Sequence, residues 1–90
     1  MEGLIKPFKT KDVITGNNKY KDLNNATEYG IYSGTTPQIV ANTPDGFPVL
    51  PYILLVYGYS TDRIVQTIIS SSGKIATRSY IDTWSNWVYV

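Results

Sequence analysis

Cysteine and histidine are both absent from the 90 residues. The first absence excludes disulfides and thiolate chemistry. The second removes the commonest general base and the commonest metal ligand. Charge is scarce as well, at 17% of residues, with a net charge of +1. That is too little for a coiled coil, and 42% hydrophobic residues make the chain too apolar for disorder. Long apolar runs are missing too: "FPVLPYILLVYGY" is too short to span a bilayer and is broken by Pro48 and Pro51. "MEGLIKPFKTKD" has no apolar stretch of the kind a secretory signal needs, so the expectation is synthesis in the cytoplasm without a signal peptide and no membrane insertion.

The charges that remain are unevenly placed. Lys6, Lys9, Lys11, Lys19 and Lys21 outnumber Glu2 and Asp12 up to residue 21. Beyond it Arg63, Lys74 and Arg78 are outnumbered by Asp22, Glu28, Asp45, Asp62 and Asp82. A nucleic-acid-binding domain needs clustered basic groups, so no nucleic-acid partner is expected. Residues 1–16 read as a lead-in closed by "TGNNK", and 17–90 as one β domain.

The β reading comes from alternation. "LPYILLVYGY" is apolar on both faces, as in a central strand, and "RIVQTIIS" is rich in β-branched residues. Gly73 in "SSSGK" supplies a positive-φ turn, so residues 63–81 form a hairpin. Gln38 to Ala41 offers one more short strand inside the proline-rich connection "TTPQIVANTPDGFP". Asp22 is placed to cap a single helical turn near residues 22–27. Helical periodicity over ten residues occurs nowhere. The fold class is therefore mainly β, a small twisted antiparallel sheet of four to five strands.

Function has to come from what is abundant: eight tyrosines, two tryptophans, and many threonines, serines and asparagines. Aromatic faces beside hydroxyls and amides suit sugar rings. Trp84, in the predicted turn 82–86, is the first ligand-binding candidate, with Tyr57, Tyr59 and Tyr80 as neighbouring rings. Arg78 joins them as a ligand-binding candidate, able to stack on a ring or pair with an aspartate. Trp87, in a predicted closing strand 87–90, reads as a core residue pinning the terminus. Asp45, Asp62 and Asp82 read as turn aspartates rather than a glycosidase pair. Ser70 to Lys74 lack the helix of a phosphate loop and the desolvation of a nucleophile. The expectation is a non-enzymatic chain with no catalytic residue, no metal and no cofactor.

"DLNNATEYGIY", "NTPDG", "DRIVQTIISSSGKIATRSY" and "TWSNW" together resemble the knob module of phage tail fibres, baseplate proteins and pyocin fibres. The resemblance runs from Asp22 through Gly30 and Tyr32, the loop from Asn42 to Gly46, Gln66, Arg78 and Tyr80, to Trp84 and Trp87. It implies a non-catalytic structural and adhesion module of a virion tail fibre or baseplate protein, or of a prophage-derived particle. It further implies, in the full-length protein, a homotrimer or contacts with other tail proteins, and support for attachment to the bacterial surface, with a surface glycan as one partner. The alternative left by the residues themselves is a carbohydrate-binding module presenting an aromatic platform.

Overall fold

The structure, a computed structural model, describes residues 10–60 and 62–90, apart from the side chains of Thr10 and Tyr59. It is one β-sheet with three short 3-10 turns. The strands are β1 (Thr10–Ile14), β2 (Gly30–Gly34), β3 (Tyr52–Ser60), β4 (Arg63–Ser70), β5 (Ile75–Ile81), β6 (Thr83–Trp84) and β7 (Val88–Tyr89). Spatial order follows chain order from β1 to β6, and β7 pairs with the other end of β5. All pairings are antiparallel except β1 with β2, which is parallel.

The mainly β class and the hairpin of residues 63–81 agree with the sequence, and the strand count is higher. The closing strand expected at 87–90 is present as β7, shortened to Val88–Tyr89, while β6, inside the expected turn, is an extra strand of two residues. The other extra strand, β1, corrects the lead-in boundary: residues 10–14 belong to the sheet, and Ile14 lies in the core. Residues 1–9 of the expected lead-in lie outside the described residues. The strand expected at 38–41 is also corrected. Pro37 fixes a helical φ and opens a 3-10 turn, Pro37–Ile39, leaving Ala41 a single bridge to Asp22.

Alternation divides the sheet into two unlike faces. Tyr32, Tyr52, Leu54, Val56, Ile64, Ile68 and Ala76 point to one side and are buried. That side is covered by irregular chain, residues 15–29 and 35–51, which contributes Tyr20, Leu23, Ala26, Val40 and Phe47. Local polar groups shape this cover. Asn18 Oδ1 accepts from the Tyr20 amide at 3.0 Å while its Nδ2 donates to Val13 O, tying the first 3-10 turn to β1. Asp22 caps the second turn, Leu23–Asn25, by accepting from the Asn24 amide at 2.9 Å, as the sequence predicted. Gly46 and Gly73, both at positive φ, make the two glycine turns that "PDG" and "SSSGK" announce.

Gln66 breaks the apolar pattern of the covered face. It lies between Ile64 and Ile68 and is fully buried. Its Nε2 donates to Leu23 O at 2.7 Å and Ala26 O at 2.9 Å, while its Oε1 accepts from Arg78 Nε at 2.8 Å. One amide thereby fastens the covering turn to the middle of the sheet.

The opposite face carries Val13, Ile31, Ile53, Leu55, Tyr57, Val65, Ile69 and Ile75, interleaved with Ser33, Thr67, Thr77 and Ser79. No described residue covers it, and Val13, Ile53 and Tyr57 are exposed.

Two stability changes are expected. Gln66→Leu strands two buried carbonyls and the Arg78 N–H, so urea unfolding should show a loss of about 3 kcal/mol. A loss below about 1 kcal/mol would remove Gln66 from this role. Tyr52 presents the opposite case, because its buried hydroxyl has no partner and burial pushes its pKa up to about 12. Tyr52→Phe should be neutral or stabilising by up to about 1 kcal/mol. The raised value means that Tyr52 contributes stability present below its ordinary pKa near 10 and lost as pH rises through the folded value. The variant should therefore lose less stability than the wild type above pH ~10.

Candidate functional site

Gln66 and Arg78 are direct cross-strand partners on β4 and β5, which fixes their side chains on the same, covered face. Arg78 is only 6% exposed. Beyond its bond to Gln66, its terminal nitrogen donates to Asn24 Oδ1 at 3.0 Å. Trp84 and Trp87 supply the rest of its environment, with ring centroids 4.0 and 4.7 Å from the guanidinium carbon. Such contacts strengthen when the cation is desolvated. Burial lowers the Arg78 pKa to about 10, with nearby Asp22 opposing the fall, so the group stays cationic at neutral pH. No carboxylate among the described residues forms an ion pair with it.

The chain reaches this arrangement through a tight return. Asp82, at φ 65°, reverses β5 into β6, so that Trp84 pairs with Tyr80 and the two rings meet edge to face at 5.2 Å. Trp84 therefore stands on a short strand rather than in the turn expected for residues 82–86. The chain then swings out and back to β7, where Tyr89 and Val88 pair with Ala76 and Thr77. Trp87 lies just before β7, half-buried against the core instead of inside it, and its Nε1 donates to Asn42 O at 2.8 Å. Tyr89 Oη donates to Asp45 O at 2.6 Å. These two bonds hold the loop of residues 42–46 against the last strand.

A groove of about 670 Å³ lies between them. Arg78, Trp84 and Trp87 line it together with Asn24, Asn42, Asp45 and Asn86. Asn24 has its oxygen engaged by Arg78, and Asn42 has its Nδ2 engaged by Asp22 Oδ1 at 2.8 Å. The Asn24 Nδ2, the Asn42 Oδ1, the Asn86 amide and the Asp45 carboxylate have no partner among the described residues. Aromatic walls with unspent donors and acceptors at this volume are the lining of a small-molecule or saccharide site.

The candidates named from sequence divide by face. Trp84 and Arg78 enter the groove. Tyr80 braces Trp84 from its edge. Tyr57 lies on the uncovered face, opposite Val65, with its hydroxyl 3.1 Å from that of Thr67. The Tyr59 side chain lies outside the described residues. Asn24, Asn42, Asp45 and Asn86 were not anticipated. The turn signal and the resemblance both marked a loop from Asn42 to Gly46, but not its partners, which are set by long-range contacts.

Neither a protein-family model nor a curated protein matches the sequence. Among solved structures, the chain is similar to the C-terminal portion of the R1 pyocin fibre of P. aeruginosa, at 25% identity with a TM-score of 0.72. It has the fold of a tail-fibre module. The match covers 93% of this chain and 22% of the pyocin fragment, so the chain spans about a fifth of that fragment. The fold also explains why the residues named in the resemblance run together: Asp22, Gln66, Arg78, Trp84 and Trp87 form one contact network.

Trp87→Ala should cost about 2 kcal/mol, less than the roughly 3 to 5 kcal/mol of a fully enclosed ring. Denaturant unfolding measures this, and a cost above about 4 kcal/mol would return Trp87 to the core.

Proposed function

We propose that this chain is a structural and adhesion module of a phage tail fibre, a baseplate protein or a related particle, acting without catalysis to support attachment to the bacterial surface. The observation that carries the reading is the likeness to a pyocin fibre over nearly the whole chain. The uncovered sheet face supports the assembly half of the proposal. Its central rows, Val13, Ser33, Ile53, Ile69 and Ile75, then Ile31, Leu55, Thr67 and Thr77, contain no charged residue. At ordinary strand spacing they cover roughly 300 Å². An uncharged patch of that size is about the largest that a typical monomer exposes, and such patches are often functional. The face is assigned to homotrimer contacts or to contacts with another tail protein.

The second reading, a carbohydrate-binding module, draws its support from the groove of Trp84, Trp87 and Arg78. The two readings are compatible, because groove and apolar face lie on opposite sides of the sheet.

Size-exclusion chromatography with light scattering should return three times the 10.1 kDa chain mass. Ile53→Glu, on the open face, should return the chain mass with the fold retained by circular dichroism. A folded wild-type chain that stays monomeric at ~100 μM, or forms a dimer, overturns self-trimerisation as the use of this face.

A further inference from the structure

The groove contains a buried cation whose unbonded N–H groups open onto the groove, since the only buried unpartnered side-chain polar atom among the described residues is the Tyr52 hydroxyl. Arg78 spends two donors, on Gln66 and Asn24, and its remaining N–H groups have no partner among the described residues. It lines the groove while nine-tenths buried and without an ion pair. Such a cation is a strong site for an acceptor that arrives with its own negative charge, and a planar guanidinium matches a carboxylate best. The rings of Trp84 and Trp87 beside it are suited to the apolar face of a sugar. Asn24 Nδ2, Asn42 Oδ1 and the Asn86 amide offer both donors and acceptors to hydroxyls.

We propose that the groove binds an acidic saccharide, with the carboxylate of a uronic-acid-type residue at Arg78 and its pyranose ring against the tryptophans. This deepens the attachment reading and rests on it for its biological setting, though not for its chemistry. Asp45 is the opposing charge in the groove, and its carboxylate has no partner. It accepts from sugar hydroxyls and at the same time repels the ligand's carboxylate. Asp22, close enough to act on Arg78, already bonds Asn42 and the Asn24 amide and stands behind the cation as part of the scaffold.

Both tryptophans of the chain line the groove, so intrinsic fluorescence reports occupancy directly. Titration of the intact chain with tetragalacturonate should change the emission saturably, and the apparent affinity should fall as sodium chloride is raised. Maltotetraose, neutral and of equal length, should bind at least about tenfold more weakly. Inorganic phosphate alone should give no saturable change. Arg78→Lys, which keeps the charge but loses the planar fork, should weaken tetragalacturonate by about tenfold or more. Asp45→Asn breaks no side-chain bond among the described residues, keeps an acceptor oxygen for a sugar hydroxyl and removes the repulsion, so it should tighten binding severalfold, which keeps the proposal testable if Arg78→Lys fails to fold. Equal response to the neutral and acidic sugars, equal response to phosphate, or weaker binding in Asp45→Asn each overturns the acidic-saccharide assignment. No response to any probe overturns it too, and leaves the oligomer mass to judge the fibre reading separately.

Discussion

The Gln66 side chain is the point through which the two layers of this domain are joined. The core face of the sheet needs a cover, and here the cover is irregular chain whose backbone groups would be orphaned in the interior. Gln66 meets two of those carbonyls from the middle of β4 and passes its own oxygen to Arg78. Arg78 in turn holds Asn24, from the turn that Gln66 anchors, so the network closes on itself. A buried cation and a buried amide are costly separately, and together they satisfy much of each other's hydrogen-bonding need.

The same network sets the limits of the site. Because Arg78 is fixed by Gln66 and Asn24, the tryptophans that pack on it are fixed as well, and Asn42 and Asp45 follow through their carbonyl bonds to Trp87 and Tyr89. The groove is thus a by-product of how the cover is fastened, preorganised by the core rather than borne on a free loop. This bears on the balance between structural and binding roles for Trp84 and Trp87. They serve both, because the cation that they shield is also the one that they would present.

Local signals carried the sheet and named only part of the groove lining, Arg78 and Trp84. Alternation placed β3, β4 and β5, Asp22 was readable as a cap, and Gly46 and Gly73 as turns, since each depends on neighbours within a few residues. β1 was not legible: a parallel edge strand of five residues owes its existence to a partner some twenty positions away. The polar intruder between Ile64 and Ile68 was visible in the alternation, but its meaning lay in carbonyls 43 and 40 residues distant. Trp84 and Trp87 were separated into contact and core roles because the sequence puts Trp84 inside a turn and Trp87 on the strand after it, whereas in space both meet Arg78. Tyr57 was grouped with Trp84 by composition, and strand parity puts it on the other face.

The parallel pairing of β1 with β2 has a mechanical consequence. It makes β1 run in the same direction as β4 and β7, so the chain enters the sheet at one end of the strands on one edge and leaves β7 at the opposite end near the other edge. Tension applied along the chain would pull β1 and β7 lengthwise in opposing directions, loading their hydrogen bonds together in shear rather than peeling them one after another. The two-residue β7 is the weaker grip, and its bonds to β5, with those that Trp87 and Tyr89 make to the 42–46 loop, would be the first to yield.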